Sequence, residues 1–184
     1  MAGGPGSIDQ KASEAMKEEV LYSGLFHSPL GYIRCTATDE GLRDIKILGD
    51  IDPILQRDAS HPILEATQTQ LEEYFAGSRT RFDLPYDFGQ ASKFFKSVWN
   101  ILLRIPYGHT RTYGDIAIEL GDIQKSRAVG MANGRNNIPI IVPCHRVIGG
   151  NNSLTGYAYG LEMKLFLLKL ENPAKWSEQT SLFK

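Results

Sequence analysis

The segment from Asn136 to Gly150 constrains the fold of this chain more than any other stretch. Apolar residues at 138 and 140–142 alternate with Pro139 and Pro143 and lead directly to Cys144 and His145. Proline fixes φ and removes a backbone donor, which argues against a helix here. We therefore predict a buried extended stretch that delivers Cys144 and His145 together at its end.

Adjacent cysteine and histidine side chains are candidates for nucleophilic chemistry. A reactive cysteine needs a stabilised thiolate, and a histidine, a cation or a helix N-terminus can provide that. A histidine base works best when a third group holds its ring, and Glu171, at the end of a helix predicted over 161–170, is a candidate. Sequence spacing does not establish that contact. A buried cysteine beside a surface histidine is an equally open interpretation at this point.

The N-terminal half has the pattern of a small sheet with one helix. Residues 20–48 form β-rich stretches broken at 28–31 and 39–41, which predicts a three-stranded antiparallel meander. Apolar residues at helical spacing predict a helix over 62–76, and Gly77 is placed to end it. A further strand is predicted over 80–84, followed by an inter-domain linker over 85–90.

The second half is predicted to be mainly helical. Ser92 can cap a helix that ends before Pro106. Two short helices follow, over 113–120 and about 125–133, joined by a turn that contains glycine. This pattern is typical of a helix-turn-helix, although a purely structural helix pair has the same appearance.

These elements predict an α+β fold with two domains. The expected boundaries are a flexible N-terminal tail over 1–19, a sheet-and-helix domain over 20–88, a mainly helical domain with a winged helix-turn-helix-like arrangement over 89–175, and a C-terminal tail over 176–184.

Charge is distributed unevenly between the halves. Residues 1–91 carry 8 Lys and Arg against 15 Asp and Glu, a net charge of −7, whereas residues 92–175 carry 11 against 5, a net charge of +6. A basic half favours a polyanionic partner, although solvated surface alone can produce such an asymmetry.

Other classes of protein are not indicated. No apolar run approaches the roughly 20 residues that span a bilayer, and the first 19 residues lack a signal-peptide core. Cys35 and Cys144 are the two cysteines, and two isolated thiols fit a reducing compartment. The four histidines show no metal-ligand spacing, so we predict no metal and no membrane association.

The motif Pro143-Cys144-His145-Arg146-Val147 resembles the active-site motif of the O6-alkylguanine-DNA alkyltransferases, the methylated-DNA–protein-cysteine methyltransferases. The resemblance covers about residues 92–172 strongly and extends weakly into the N-terminal half. Its further matches are Tyr113, Arg127-Ala128-Val129-Gly130, Asn136, Pro139, Gly156-Tyr157-Ala158, Gly160, Lys164 and Glu171. It also implies that the N-terminal domain is ribonuclease-H-like.

The resemblance implies direct repair of DNA. An alkyl group would pass from O6-alkylguanine, and also from O4-alkylthymine, to Cys144 in a single irreversible turnover without a cofactor. Cys144 would be the acceptor, reacting as a thiolate. His145 would be its general base through one water, and Glu171 would orient His145. Tyr113 would donate to N3 of the leaving guanine.

The same resemblance implies how DNA is held. Arg127 would enter the base stack in place of a flipped nucleotide, because a base inside a duplex cannot reach a buried thiol. The implied partner is double-stranded DNA, bound through its minor groove by a monomer in the cytoplasm, or in the nucleus of a eukaryote. The other DNA-binding residues implied are Ser126, Ala128, Gly130, Arg135 and Asn136.

The resemblance also implies a base pocket, with the carbonyls of Cys144 and Val147 as acceptors for the guanine amine. Its lining residues would be Pro139, Val147, Leu154, Tyr157, Ala158, Gly160 and Lys164. This chain has Ala158-Tyr159 where several members have Ser-Gly, which leaves its preference between methyl and larger adducts open. Thr38 and Arg43 stand where some members bind zinc, and no zinc is expected.

Three alternatives are weighed against transfer. A non-catalytic alkyltransferase-like recognition protein would flip the base without accepting the alkyl group, but the intact motif around Cys144 argues against it. A cysteine hydrolase would need an oxyanion hole that no motif indicates. A simple helix-turn-helix regulator would have no use for the Cys144-His145 pair.

Overall fold

The N-terminal half is built on a three-stranded antiparallel meander, as predicted. The computed structural model describes residues 19–51 and 60–177. Strands β1 (Tyr22–Ser28), β2 (Gly31–Ala37) and β3 (Leu42–Gly49) pair in the order β1-β2-β3. The tight β1–β2 turn requires glycine at position 31, where φ is +83° and a Cβ atom would lie 2.3 Å from the carbonyl carbon of Gly49.

Helix α1 (Pro62–Phe75) packs against this sheet through a face that includes Leu64, Leu71 and Tyr74. It begins at a proline, which fits the first helical turn, and is followed by Gly77 in the left-handed region at φ +75°. The helix and its stop were both predicted within one residue, because the apolar spacing and the glycine give the same boundary.

The strand expected over 80–84 does not form. This part of the chain is irregular, and only Tyr86 forms an isolated parallel bridge, with Leu42. The backbone of Leu42 is bonded to Pro85 and Asp87, while Asp87 also accepts hydrogen bonds from Thr38 and Arg43. The segment expected as a linker over 85–90 is therefore tied to the edge of the sheet at its start.

The helices of the second half follow the predicted order. They are α2 (Lys93–Leu102), α3 (Tyr113–Glu119) and α4 (Ser126–Gly134). Ser92 caps α2 by accepting the N–H of Phe95, and Thr112 and Asp115 form a capping box at the start of α3. Trp99 of α2 donates to the carbonyl of Ala132 in α4, which joins the helix-turn-helix pair to α2.

The stretch expected to be extended before Cys144 is instead a series of turns. Val142 N–H donates to the carbonyl of Ile138, and Ile140 has a φ of 72°, a strained conformation for a β-branched residue. Pro139 and Pro143 exclude a regular helix, but they also interrupt strand hydrogen bonding, so the predicted extended conformation is wrong. The predicted burial is correct. All of residues 138–142 are buried.

Two short strands and two helices complete the second half. Strands β4 (Arg111–Thr112) and β5 (Val147–Ile148) pair in parallel, and helices α5 (Leu161–Glu171) and α6 (Pro173–Trp176) follow. Trp176, assigned to the C-terminal tail from the sequence, is 1% exposed and clusters with Ile148, Leu165 and Leu168. Ordered structure therefore extends past the predicted boundary at 175, because an indole of this size is buried in the core.

The two halves share one hydrophobic core. The N–H of Ile45 in β3 donates to the carbonyl of Asn137 at 2.7 Å, and Tyr74 of α1 donates to Glu171 of α5. This arrangement confirms the predicted α+β fold, with a small antiparallel sheet followed by a helical region. Within residues 19–51 and 60–177, no helix is long and apolar enough to cross a membrane.

Candidate active site

Cys144 lies at the start of a short 3-10 helix, Cys144–Arg146, which directly follows the buried turns. Its side chain lines a cavity of about 160 Å³ together with residues from four other parts of the chain. The full lining set is Tyr113, Gly130, Asn133, Gly134, Asn136, Pro139, Cys144, Gly156, Tyr157, Ala158 and Tyr159. The nucleophile candidate therefore faces a pocket beside α4, the second helix of the helix-turn-helix pair.

The environment of Cys144 does not make it a resting thiolate. Burial raises the pKa of the Cys144 thiol to about 11, against opposing effects from the Asn136 side chain, the Lys164 ammonium and nearby backbone N–H groups. The raised pKa favours the protonated thiol at neutral pH. Its activation requires a base that takes the proton as the sulfur reacts.

His145 is fully buried and is oriented by Glu171, as the sequence suggested. Its Nε2 lies 2.7 Å from Glu171 Oε1, and Nδ1 has no hydrogen-bond partner among the described residues. Burial lowers the pKa of His145, although Glu171 opposes the shift. The neutral imidazole therefore carries its proton on Nε2 and leaves the Nδ1 lone pair available.

The Glu171 carboxylate accepts hydrogen bonds from residues of several elements. Arg146 donates through Nε to Oε2 and through Nη2 to Oε1, both at 2.9 Å, and the Gly108 N–H donates to Oε2 at 3.1 Å. Tyr74 donates to Oε1 at 2.8 Å. Burial alone would raise the pKa of Glu171, but His145 and Arg146 hold that pKa well below its usual value. The carboxylate is thus ionised and firmly oriented.

Arg146 and Tyr74 were not assigned roles from the sequence. Arg146 was read only as part of the Pro143–Val147 motif, and its position beside His145 was the available signal. Its Nη1 also donates to the carbonyl of Ile105 at 2.6 Å. Tyr74 belongs to a different half of the chain and had no local signal.

Tyr113 is placed at the mouth of the pocket by the capped start of α3. Its hydroxyl lies 3.3 Å from the carbonyl of Thr155 and 3.4 Å from that of Gly156, both long contacts. Burial raises the pKa of Tyr113, so the phenol is protonated and able to donate. A ligand acceptor in the pocket would compete with two weak internal partners.

Asn136 holds the turn that carries Cys144. Its Nδ2 donates to the carbonyl of Val142 at 2.7 Å, and its Oδ1 accepts the N–H of Ile138 at 3.0 Å. The same side chain also lines the pocket and lowers the pKa of the Cys144 thiol. The residue thus links the end of α4 to the reactive turn.

The structure corrects the expected lining of the pocket. Pro139, Tyr157 and Ala158 line it, but four other candidates do not. Val147 is buried in β5, and Leu154 packs on the Trp176 cluster. Gly160 lies at the N-cap of α5 with φ +87°, and Lys164 is buried below the pocket loop.

Lys164 has a defined position even though it does not line the cavity. Its ammonium donates to the carbonyls of Val147 at 2.5 Å and Thr155 at 2.7 Å, with a longer contact to Gly156. Burial lowers the pKa of Lys164 to about 8. The lysine therefore joins the β5 strand to the loop that carries Tyr157, Ala158 and Tyr159.

The carbonyls expected to accept a guanine amine are already in use. The Cys144 carbonyl accepts from Asn133 Nδ2 at 3.4 Å and from the N–H of Val147. The Val147 carbonyl accepts from Lys164. A guanine amine would have to share or displace these donors.

The residues expected on the DNA side lie on and beside α4. Arg127 is exposed and makes no hydrogen bond or ion pair within the described parts of the chain, and Arg135 is also exposed. Ser126 donates to the carbonyl of Ile123, and Ala128 is half-buried. A Cβ atom at Gly130 would lie 3.9 Å from the Tyr113 ring, so this glycine is where α4 faces the pocket.

The second cysteine, Cys35, lies in a different environment from Cys144. Cys35 borders a separate cavity of about 220 Å³, but burial raises the pKa of its thiol to about 12. Cys35 is paired in β2 with Gly24 and Ile45, away from the Cys144–Arg146 turn. Over residues 19–51 and 60–177, no three His, Cys, Asp or Glu side chains are grouped to hold a metal ion.

Comparison with known proteins shows which families and relatives this chain matches. A family model described as 6-O-methylguanine DNA methyltransferase, ribonuclease-like domain, matches residues 21–88. A second, described as 6-O-methylguanine DNA methyltransferase, DNA binding domain, matches residues 93–173. The methylated-DNA–protein-cysteine methyltransferase of Methanosarcina acetivorans is 48% identical over 154 residues, covering 82% of this chain and 98% of that protein.

Solved structures agree with this comparison. The O6-methylguanine methyltransferase of Mycobacterium tuberculosis is 40% identical with a TM-score of 0.72, covering 84% of this chain and 94% of that one. A crystal structure of the M. tuberculosis protein in complex with DNA has 40% identity and a TM-score of 0.72, covering 81% of this chain and 91% of that one.

The fold and the site together define a class of two-part α+β proteins with a cysteine facing a pocket beside a helix-turn-helix. The chain belongs to the 6-O-methylguanine DNA methyltransferase family, whose two models together match most of its length.

Proposed function

We propose that this protein repairs DNA by transferring the alkyl group of O6-alkylguanine to Sγ of Cys144 in one irreversible turnover. The observation that carries the proposal is the position of Cys144 in a pocket, next to a buried His145 that is bonded to Glu171 at 2.7 Å. Family membership and the relatives' names support the same reaction.

The proposed step is an in-line displacement at the alkyl carbon. The bond from Sγ to that carbon forms as the bond from carbon to guanine O6 breaks, and the electron pair of the broken bond stays on the base. The thiol proton passes to Nδ1 of His145 through a water, and Glu171 stabilises the resulting imidazolium. Because a thioether has no easy route back to a thiol, the protein is consumed.

Tyr113 donates a hydrogen bond to the leaving base. Negative charge develops on the purine as the bond to carbon breaks, and a donor aimed at N3 lowers the energy of that state. Protonation of Tyr113 and its two long internal contacts favour this role. Overall, one alkyl group moves from guanine to sulfur; the thiol proton is held on His145 and then returned to solvent, and the released guanine anion takes up one proton from solvent.

Access to the pocket requires that the damaged nucleotide leave the duplex. Flipping a base costs a few kcal/mol, and an inserted side chain offsets part of that cost. Arg127, exposed on α4 and free of internal partners among the described residues, is suited to this insertion. Ser126, Ala128 and Gly130 keep the same helix narrow enough to lie in a minor groove, with Arg135 and Asn136 at its end.

We propose that the protein acts as a monomer on double-stranded DNA, wherever the genome is located. All the residues assigned to transfer and flipping are supplied by one chain. The excess of positive charge over residues 92–175 supports binding to a polyanion.

The test is to incubate the protein with duplex DNA that contains one O6-methylguanine, and to measure intact mass and the Cys144 peptide. We expect one added methyl on Cys144 and no further turnover when DNA is in excess. A second duplex with O4-methylthymine tests the wider substrate range. Cys144→Ala is expected to bind the lesion without a mass change, and Cys35→Ala serves as the matched control that still transfers.

Two outcomes would contradict the proposal. Binding of the lesion by the unaltered protein without any mass change would indicate a recognition protein. A methyl group found on a residue other than Cys144 would exclude the assigned nucleophile.

A further inference from the structure

Tyr74 brings the N-terminal half of the chain into contact with the site. It lies on α1, is fully buried, and is separated from Glu171 by 97 positions in sequence. Its hydroxyl donates to Glu171 Oε1 at 2.8 Å. The same oxygen accepts hydrogen bonds from His145 Nε2 at 2.7 Å and from Arg146 Nη2 at 2.9 Å.

We infer that Tyr74 is a positioning residue for alkyl transfer: its hydroxyl completes the set of donors on the Glu171 oxygen that holds His145. The N-terminal half would then set the proton affinity of the base in addition to its structural role. This inference rests on the proposed function, since it concerns the same His145.

Packing alone does not account for the hydroxyl. The Tyr74 ring contacts Phe75, Phe82 and Tyr107, with centroid separations of 5.4, 5.5 and 6.0 Å. A phenylalanine would make the same ring contacts without placing a polar group in the core. A buried hydroxyl must be hydrogen-bonded to avoid a desolvation cost, and here its partner is the carboxylate that orients His145.

The expected effect has a definite sign. An oxygen shared among three donors offers less electron density to each of them, so Tyr74 weakens the pull of Glu171 on the His145 proton. Other charged or titratable groups act on this pair: Arg146 and Lys164 disfavour the imidazolium, whereas Glu171 favours it. Tyr107 also lies close to the carboxylate. Loss of the Tyr74 hydroxyl therefore raises the pKa of His145.

The experiment compares single-turnover transfer rates from pH 5 to 8.5 for the unaltered protein and for Tyr74→Phe, using duplex DNA with O6-methylguanine. We expect the acidic limb of the Tyr74→Phe profile to move to higher pH by about half a unit to one unit, which is the effect of one hydrogen bond. The rate would fall several-fold on the acidic limb and stay nearly unchanged on the plateau above it. Lesion affinity should not change.

Tyr107→Phe is the matched control. Tyr107 is a neighbouring, partly buried tyrosine whose hydroxyl donates to the carbonyl of Leu170 at 3.1 Å instead of to the carboxylate. Its removal should leave the acidic limb in place. A purely structural role for Tyr74 would lower the rate equally at every pH.

A second variant guards against a folding defect in Tyr74→Phe. Replacement of Tyr74 by 3-fluorotyrosine keeps the ring and the hydroxyl but makes the hydroxyl a stronger donor, so the limb should move to lower pH. Superimposable profiles for all these proteins would overturn the inference while leaving transfer intact. No methyl on Cys144 of the unaltered protein at any pH would instead contradict the proposed function itself.

Discussion

Cys144 is buried, although the proposed transfer requires its sulfur to react. With its pKa raised to about 11, the thiol is stable at rest, and unselective reaction with other electrophiles is suppressed. The same burial that protects the sulfur keeps His145 neutral, with an open Nδ1. Reactivity is thus confined to the moment when a substrate fills the pocket and the proton can move.

Tyr159 is the residue most able to decide which adducts fit. It lines the pocket, its ring centroid is 6.0 Å from that of Tyr157, and its hydroxyl lies 3.4 Å from the carbonyl of Ile45. Removal of this ring should enlarge a cavity of only about 160 Å³. The consequence can be measured with adducts of different size.

We predict that Tyr159→Ala accelerates transfer of a benzyl group from O6-benzylguanine relative to a methyl group by about tenfold, the size typical of pocket discrimination. Competition between the two adducts, read by the mass of the Cys144 peptide, measures this ratio. Phe166→Ala is the control, since Phe166 is exposed on α5 and does not line the pocket. An unchanged ratio for Tyr159→Ala would show that its ring does not limit the pocket.

Among the elements, the turn over 136–142 holds the reactive residues in place. Ile140 is in the left-handed region and is buried, so its strain must be offset by surrounding contacts. Asn136 supplies two of them, to Val142 and to Ile138. It also lowers the pKa of Cys144 against the larger effect of burial.

We predict that Asn136→Ala lowers the free energy of unfolding by about 2 kcal/mol, because two backbone groups lose their partner. It should also slow transfer, since the thiol becomes harder to deprotonate. Urea denaturation and single-turnover rates measure the two effects. Asn137→Ala is the control: its side chain is exposed and only its backbone carbonyl is bonded, so a change within about 0.5 kcal/mol is expected.

The elements differ in how far the sequence could predict them. Helix α1 was predictable because the apolar spacing and Gly77 specify the same end, and α2 because Ser92 and Pro106 bracket it. The segment over 80–84 has strand-forming residues but forms no strand. The Gln70 side chain bonds to the N–H and carbonyl of Asp83, and backbone bonding to Leu42 begins only at Pro85. Before Cys144, Pro139 and Pro143 exclude a regular helix and interrupt strand hydrogen bonding. The turns that form instead depend on Asn136 and on tertiary packing.

Across the whole molecule, the site was predictable where its residues match positions of the family resemblance. Cys144 and His145 lie in the Pro143–Val147 motif, Glu171 matches the resemblance further along the chain, and the structure places His145 and Glu171 in contact. Tyr74 could not be found this way, because its contact with Glu171 depends on how α1 packs against the C-terminal half. Leu154 and Val147 were expected to line the pocket, but Leu154 packs against the Trp176 cluster and Val147 is buried in β5.

The pH dependence of stability is a property of the whole fold. His145 has a lowered pKa in the folded state, so between that value and about 6.5 the unfolded chain binds more protons. Stability is therefore fully present at neutral pH and falls as the pH drops through the unfolded value. The pKa of Glu171 is also lowered in the folded state. Its ionisation therefore contributes stability that is lost as the pH falls below about 4.5.

We predict that the free energy of unfolding falls between pH 7.5 and 5.5 through His145, by at most about 1.4 kcal/mol, the limit set by an unfolded pKa near 6.5. Urea titrations at a series of pH values measure the slope. In His145→Gln the slope over this interval should be reduced, whatever the stability of the variant at pH 7.5. Equal slopes in both proteins would mean that other groups control acid sensitivity.

The Glu171 carboxylate accepts bonds from positions 74, 108, 145 and 146, and the first of these belongs to the part of the chain that contains no reactive residue. A fragment that begins at Ser92 would keep the whole Cys144 motif and the helix pair but would lose the phenol that α1 contributes. Engineers who seek a minimal self-labelling tag from this chain should therefore retain α1, or replace its phenol with another donor.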